Sequence, residues 1–152
     1  MLNGPLKPTP NKSHYTFNLR DISKIFGGCV IVNKQNTRTV TELLRLWIHE
    51  NKRVFSDRLT DNPDRKFIDD LLIEKAKSKF DCKKEDIFNA ERIIFGDFMD
   101  GIDVETRVYR QIEDLRGMQT KIEEYLEDYN SVNKIQMPLV MFLDACDHVS
   151  RI

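Results

Sequence analysis

A run of apolar residues at helical spacing, between Val40 and Leu59, constrains the fold more than any other feature of this sequence. A capping box opens the run, because the side chains of Thr39 and Glu42 can each bond the backbone amide of the other residue. The apolar residues recur every three or four positions, as they do on one face of an α-helix. We therefore predict an amphipathic helix over about residues 40–59.

A second helix start precedes this run. Asn18 is a candidate N-cap, and Asp21 follows where a carboxylate suits the positive end of the helix dipole. Gly27 and Gly28 predict the end of that helix, because glycine adopts left-handed backbone angles without strain. The short run at residues 29–32 is then either a strand or a buried connector, since periodicity cannot separate the two.

The rest of the chain also reads as mainly helical. Residues 61–64 start a helix with proline in its first turn, residues 114–130 form another, and Pro138 opens the last. The apolar run near residue 94 and the extended stretch at 108–112 predict one short β hairpin around 92–112. The expected fold class is therefore mainly α, a helical bundle with one hairpin.

The charge is distributed unevenly along the chain. Residues 1–66 carry 12 basic and 6 acidic side chains, a net charge of +6, whereas residues 67–152 carry 12 basic and 19 acidic ones, a net charge of −7. A basic half could face phosphates, or the two halves could be solvated helical surfaces of opposite sign. With 40% apolar and 32% charged residues, the composition is that of a globular protein.

Complete catalytic and metal-binding motifs are absent from the sequence. There is no phosphate-binding G-x-x-x-x-G-K-[ST] loop, and no H-E-x-x-H or G-x-S-x-G motif. The three histidines lie far apart in the sequence, and the three cysteines include no C-x-x-C pair, so we expect no metal site and no disulfide framework.

Two segments carry a more specific signal than their composition. The first is KSHYTFNLRDISKIF at residues 12–26, and the second is LLRLWIHENKRVFSDRL at residues 43–59. The tail continues the pattern with EEYLEDYN at 123–130 and MPLVMFLDACDHVSRI at 137–152. Together they resemble dynein heavy chains, where such strings occur in the lid of the third AAA+ module and in the run into the fourth. FGDFM at 95–99 favours the axonemal branch.

The resemblance implies a domain organisation. Residues 1–13 would be an extended lead-in, residues 14–135 a helical AAA+ lid domain, and residues 136–152 the truncated opening helix of the following module. On this interpretation the chain is a fragment of a longer protein.

The resemblance also implies a function. The parent would be an ATP-driven microtubule motor that uses ATP or ADP with magnesium, in the cytoplasm and cytoskeleton, at the axoneme of a cilium or flagellum. The lid would sense nucleotide in the preceding module and relay its state round the ring. Its partners would be the two neighbouring AAA+ modules, and microtubules only through distant parts of the parent. We expect no nucleic acid and no membrane as partners, no cofactor bound by the fragment alone, and no ATP hydrolysis by it, because the phosphate loop is missing.

Matching the family motif residue by residue gives three nucleotide-facing candidates. Arg20 would be the sensor arginine at the start of the first lid helix, aimed at nucleotide phosphates, a role that suits an always-charged guanidinium with several donors. Asn18 and Leu19 would lie beside the nucleotide. The alternative for Arg20 is an ion pair within the lid, with Asp21, Glu42 or another acid.

His49, Glu50 and Arg53 could contribute to an interface between modules, although a solvated polar helix face explains the first two equally well. A different function also stays open, a free-standing helical module that binds an acidic partner through the basic face of residues 38–58. A small enzyme built on scattered histidines such as His49 or His148 has little support.

Overall fold

The computed structural model describes residues 6–32, 37–88, 92–101, 105 and 107–151. These residues belong to two compact units, residues 1–93 and 94–152, so the division falls inside the predicted lid region. The described elements of the first unit are α1 (Leu19–Ile31), α2 (Val40–Val54), α3 (Asn62–Phe80) and α4 (Lys84–Ile87). Those of the second are β1 (Ile94–Gly96), β2 (Arg110–Ile112), α5 (Leu115–Val132) and α6 (Leu143–Ser150). The predicted mainly α fold with one short hairpin is confirmed.

The start of α1 is as predicted, but its end is not. Asn18 and Asp21 form a complete capping box. The helix then continues through both glycines, so the predicted glycine stop is wrong. A Cβ on Gly28 would lie 2.1 Å from Oε2 of Glu50, whereas a Cβ on Gly27 would meet nothing within 4 Å. The second glycine therefore permits close packing on α2 and does not terminate the helix.

The short run after the glycines is accordingly neither a strand nor a connector. Residues 29–31 form the last part of α1, and Val32 leaves the helix in an extended conformation. Val30 and Ile31 remain 80% and 68% exposed, so this segment is helical without being buried.

The two helices α1 and α2 run antiparallel. The carboxylate of Asp21, in the first turn of α1, pairs with Arg58, which follows α2. Near the other end of α1, Gly28 meets Glu50 in the third turn of α2. Between these two contacts Ile25 is buried in a small apolar cluster with the end of α2.

The C-terminal end of the predicted 40–59 helix is a separate turn. α2 ends at Val54, where Phe55 donates its N–H to the carbonyl of Asn51. A 3₁₀ turn, Ser56–Arg58, follows and leads to Leu59, which is buried. The break lets the chain turn toward α3 while keeping Leu59 in the core.

The main buried cluster of the first unit is built from residues before α1 and from α2, α3 and α4. Leu6 of the lead-in and Tyr15, just after it, belong to this cluster, although residues 7–14 are mostly exposed and include a 3₁₀ turn at Pro10–Lys12. Helices α2, α3 and α4 supply the remaining buried members, which are Leu44, Ile48, Leu59, Ile68, Leu72, Ala76 and Ile87, with Leu59 from the turn after α2. Asp81 closes α3 in the left-handed conformation, with φ of 50°.

In the second unit, an antiparallel hairpin packs with the two helices. Ile94 pairs with Ile112 across β1 and β2. Both side chains belong to a buried cluster that also holds Met118 and Ile122 of α5 and Cys146 of α6. The hairpin therefore gains its stability from packing against helices, as a two-stranded ribbon requires.

The last helix starts later than predicted. Pro138 lies outside it, because the chain is not helical from Asn133 to Phe142 and α6 begins at Leu143. Side chains of α5 hold this extended segment. Asn130 both accepts from the Met137 N–H, at 2.7 Å, and donates to its carbonyl, and Gln119 donates to the Met141 carbonyl at 2.7 Å. Backbone groups satisfied in this way do not need a helix.

Candidate functional site

The first turn of α1 is a rigidly capped structure. The Asn18 side chain accepts from the backbone N–H groups of Arg20, at 2.9 Å, and Asp21, at 3.3 Å. In return the Asn18 N–H donates to the Asp21 carboxylate at 3.0 Å. The backbone N–H groups of Asn18, Arg20 and Asp21, which a helix start would otherwise leave without acceptors, are thus satisfied. Asn18, predicted to lie beside a nucleotide, is in this structure the cap of the helix that carries Arg20.

The Asp21 carboxylate is almost fully buried and strongly held. Asp21 is 5% exposed, and its nearer charged partner is Arg58, at 3.1 Å. The backbone N–H of Asn18 and the Arg58 guanidinium hold the pKa of Asp21 below its usual value, against the opposing effect of burial. Asp21 is therefore a charged structural residue of this turn.

Arg20 lies in the same first turn of α1. It is exposed, and across the ranges that the structure describes its guanidinium has no ion-pair partner. The acids proposed as internal partners are engaged elsewhere. Asp21 holds Asn18 and Arg58, and Glu42 accepts from the backbone N–H groups of Arg38 and Thr39.

An exposed apolar surface runs along α1 from the same end. We call the side chains of Leu19, Ile22, Phe26 and Val30 the α1 apolar face; they are 77%, 42%, 65% and 80% exposed. Of the neighbouring apolar residues of α1, Ile25 is buried, so the apolar side chains of this helix divide between the core and the surface. Spacings of three and four residues place the side chains of the α1 apolar face on one side of the helix. Leu19 begins this face beside Arg20.

Arg58 connects α1 with the segment that leads into it. Its guanidinium donates to the carbonyls of Thr16, at 2.8 Å, and His14, at 3.3 Å, as well as pairing with Asp21. It also lies over the ring of Phe17, 5.0 Å from the ring centre. The planar guanidinium offers five donors, which is why one arginine can hold several acceptors at once. Arg58 thus joins four residues of one short stretch to the turn after α2.

The His49 and Glu50 side chains lie inside the first unit. They are 1% and 0% exposed, so the prediction of a solvated polar face is wrong for both. His49 Nδ1 lies 3.2 Å from the Ile93 carbonyl, and the Glu50 carboxylate accepts from Arg53 at 2.8 Å while packing on Gly28. A module interface stays a prediction for this group, and Arg53 is the member with solvent-accessible side-chain surface, 29%.

The basic face of residues 38–58 is largely committed to internal contacts. Arg45 donates to the carbonyls of Asp86 and Ile87 in α4, at 2.6 and 3.0 Å. Lys52 pairs with Asp69 of α3 at 3.1 Å. Arg53 and Arg58 hold Glu50 and Asp21 as described above. Cations that are held by internal acceptors are less available to an acidic partner, so the geometry disfavours the free-standing interaction module.

The described ranges contain neither a cluster of metal-binding side chains nor a helix suited to span a membrane. Among these residues, no three His, Cys, Asp or Glu side chains are grouped so that they could hold a metal ion. In the same ranges, none of the helices combines the length and the apolar character needed to cross a bilayer.

The architecture is that of a helical cap whose first helix exposes a cation and an apolar face. Residues 2–90 match the family model of the AAA+ lid domain, and the chain belongs to this family. This match covers the first unit almost entirely, including α1, its cap and Arg20.

The relatives place the lid in a particular kind of protein. The chain is 44% identical to dynein axonemal heavy chain 1 of Mus musculus over 153 residues, which cover 100% of this chain and 4% of that protein. Its identity to dynein axonemal heavy chain 1 of Homo sapiens is also 44%, over 148 residues, 97% of this chain and 3% of the relative. Dynein axonemal heavy chain 2 of Homo sapiens is 43% identical over 147 residues, which cover 95% of this chain and 3% of that protein. The resemblance to dynein heavy chains, axonemal branch included, is confirmed.

The chain spans 3–4% of the length of these curated relatives. The position of the lid between the third and fourth modules stays a prediction.

Sequence reasoning overlooked two residues that organise the site. Arg58 lies within the second motif-bearing segment, but no pattern in a single sequence links it to a residue 37 positions earlier. Gly28 was interpreted as a helix stop. The signal that could have corrected this is the apolar continuation through residues 29–32.

Proposed function

We propose that this chain is the lid of one AAA+ module in an axonemal dynein heavy chain, and that it senses the nucleotide bound by the preceding module. The observation that carries this proposal is the Arg20 guanidinium, which is exposed at a rigidly capped helix start and has no ion-pair partner among the described residues. A cation held ready at such a position can bind phosphate oxygens without first breaking an internal ion pair.

The α1 apolar face supplies the second part of the proposal. An apolar surface of this kind, with large side chains 42–80% exposed, is typical of an interaction site. We assign it to the preceding α/β nucleotide-binding domain. Docking there would bring Arg20 and Leu19 to the nucleotide together, since both lie in the first turn of α1.

The parent would be an ATP-driven microtubule motor at the axoneme of a cilium or flagellum, where its nucleotide sites use ATP or ADP with magnesium. In that motor the lid would act mechanically. If the nucleotide holds Arg20, the lid moves with it as a rigid body, and the movement is passed to the next module. Residues 136–152 would lead into that module. Hydrolysis would depend on residues outside this chain, and microtubules would be contacted by distant parts of the parent.

Replacing Arg20 tests the sensing role. In the heavy chain that carries this segment, Arg20→Gln should raise the nucleotide-analogue concentration for half-maximal protection of the lid about tenfold or more. A hydrogen bond between charged groups is worth about 1.5–3 kcal/mol. The measurement is hydrogen exchange of residues 14–24 as a magnesium complex of a non-hydrolysable ATP analogue is added. Lys66→Gln, which removes an exposed cation from α3, is the matched control. An unchanged response in Arg20→Gln would contradict the proposal.

A further inference from the structure

The turn that presents Arg20 depends on a residue from elsewhere in the lid. Arg58 lies after α2, yet it bonds the carbonyls of His14 and Thr16 and pairs with Asp21. These contacts lie on both sides of the helix start, two before the Asn18 cap and one after it. The first turn of α1 is therefore clamped against the turn that follows α2.

The clamp is partly sheltered and reciprocal. The Arg58 side chain is 34% exposed, and the Asp21 side chain is 7% exposed. The ring of Phe17 covers one side of the guanidinium, and the Arg58 carbonyl lies 3.1 Å from Nε2 of His14. Such a network fixes the direction of the first turn of α1 as well as its position. Several hydrogen bonds from one planar group leave the chain few alternative orientations.

Arg58 also affects the electrostatics beside Arg20. Asp21 follows Arg20 directly in sequence and is held in its charged form. A buried carboxylate without its cation would leave a negative charge close to the place where Arg20 has to attract phosphate. Lys24 lies 3.9 Å from Asp21 with a 67% exposed side chain, so Arg58 is the closer and better sheltered compensating charge.

From these contacts we infer that Arg58 is a positioning residue for nucleotide sensing, which acts through Asp21 and the 14–17 segment to aim Arg20 at the phosphates. The inference rests on the proposed function of Arg20. It adds one requirement to that function, namely that Arg58 holds the first turn of α1 in place. The turn after α2 sets the sensitivity of a sensor that lies on α1.

The experiment uses the heavy chain and the same magnesium–ATP-analogue titration, followed by hydrogen exchange of residues 14–24. Arg58→Gln should raise the analogue concentration for half-maximal protection about tenfold, because the clamp and the compensating charge are both lost. Lys52→Gln is the matched control. It removes a cation of similar exposure, which pairs with Asp69 of α3 at 3.1 Å, and it should leave the half-maximal concentration unchanged.

A double variant separates positioning from general stability. If Arg58 acts through Arg20, Arg58→Gln should change the half-maximal concentration by less than about twofold when Arg20 is already glutamine, since coupled residues are non-additive. An equal effect in both backgrounds would overturn the inference. So would a fall in thermal stability with no change in half-maximal concentration, because that is the signature of a merely structural arginine.

The outcomes also separate the two proposals. If the analogue does not protect residues 14–24 of the wild-type heavy chain, the sensing function and the inference both fail. If the wild type and Arg20→Gln behave as proposed but Arg58→Gln matches the wild type, only the inference fails. Should Arg58→Gln unfold the lid, Arg58→Lys takes its place. Lysine keeps the charge opposite Asp21 but cannot hold the carboxylate and two carbonyls with a planar group, so it should still raise the half-maximal concentration severalfold.

Discussion

Gly28 of α1 lies directly on the carboxylate of Glu50 of α2, so close that a Cβ at this position would be 2.1 Å from Oε2 and 2.2 Å from Cδ. The carboxylate is completely buried there and is bonded by Arg53 at 2.8 Å. This contact sets how closely α1 can approach α2, and with it the placement of the helix that carries Arg20.

Replacing Gly28 should therefore destabilise the lid. Gly28→Ala places a methyl group where the carboxylate lies, and overpacking of this kind costs about 1–3 kcal/mol. The matched control is Gly27→Ala, in the same helix, where a Cβ meets nothing within 4 Å. It should stabilise the lid by about 0.5–1 kcal/mol, because alanine is the better helix former. Urea unfolding measures both, and equal effects of the two substitutions would contradict the role of the contact.

Acid should weaken the start of α1 through Asp21. The pKa of Asp21 is lowered in the folded state, so its contribution to stability is complete above the ordinary value of 3.8 and is lost as the pH falls through the folded pKa. Asp21→Asn should flatten the pH dependence of the urea midpoint below about pH 5, where the wild-type carboxylate begins to lose its contribution. Asp70→Asn, at an exposed position on α3, should leave the slope closer to that of the wild type.

Tyr15 should anchor the lead-in through its hydroxyl group. It is 2% exposed, donates to Asp64 at 2.9 Å and accepts from the Thr60 N–H at 3.1 Å. Tyr15→Phe leaves the Thr60 N–H without this acceptor and removes one donor from Asp64, which keeps Lys12, and it should cost about 1–3 kcal/mol of unfolding free energy. Tyr129→Phe removes a hydroxyl group from a residue 46% exposed and should cost much less. A loss of similar size in both variants would argue against the anchor.

Asn130 should hold the extended segment before α6. Its side chain bonds both the N–H and the carbonyl of Met137. Asn130→Ala should speed hydrogen exchange at the Met137 amide about tenfold, since that N–H loses its acceptor. Asn133→Ala is the control, because its amide donates to the Tyr129 carbonyl and does not bond Met137. Mass spectrometry of residues 133–142 reads the difference, and unchanged exchange in Asn130→Ala would show that other contacts hold the segment.

Local signals in the sequence determine most of the elements. The capping boxes at Asn18 and Thr39 are both present, because each depends on two side chains within one turn of the chain. The helix after Asp61, the hairpin near Ile94 and α5 are likewise specified by nearby residues. The lid family could also be recognised from strings of adjacent residues.

Only the tertiary structure decides which polar residues are buried and which cation is left available. Glu50 is buried because Gly28, on another helix, makes room for its carboxylate. The helix α1 continues through its two glycines because the second of them packs on α2. Pro138 does not begin a helix, since Asn130 already satisfies the backbone of the segment around it. Within the described part of the chain Arg20 has no ion-pair partner, and Arg58, distant in sequence, holds the adjacent carboxylate of Asp21. Each of these outcomes depends on a contact between residues far apart in the chain, and a local pattern carries no record of such contacts.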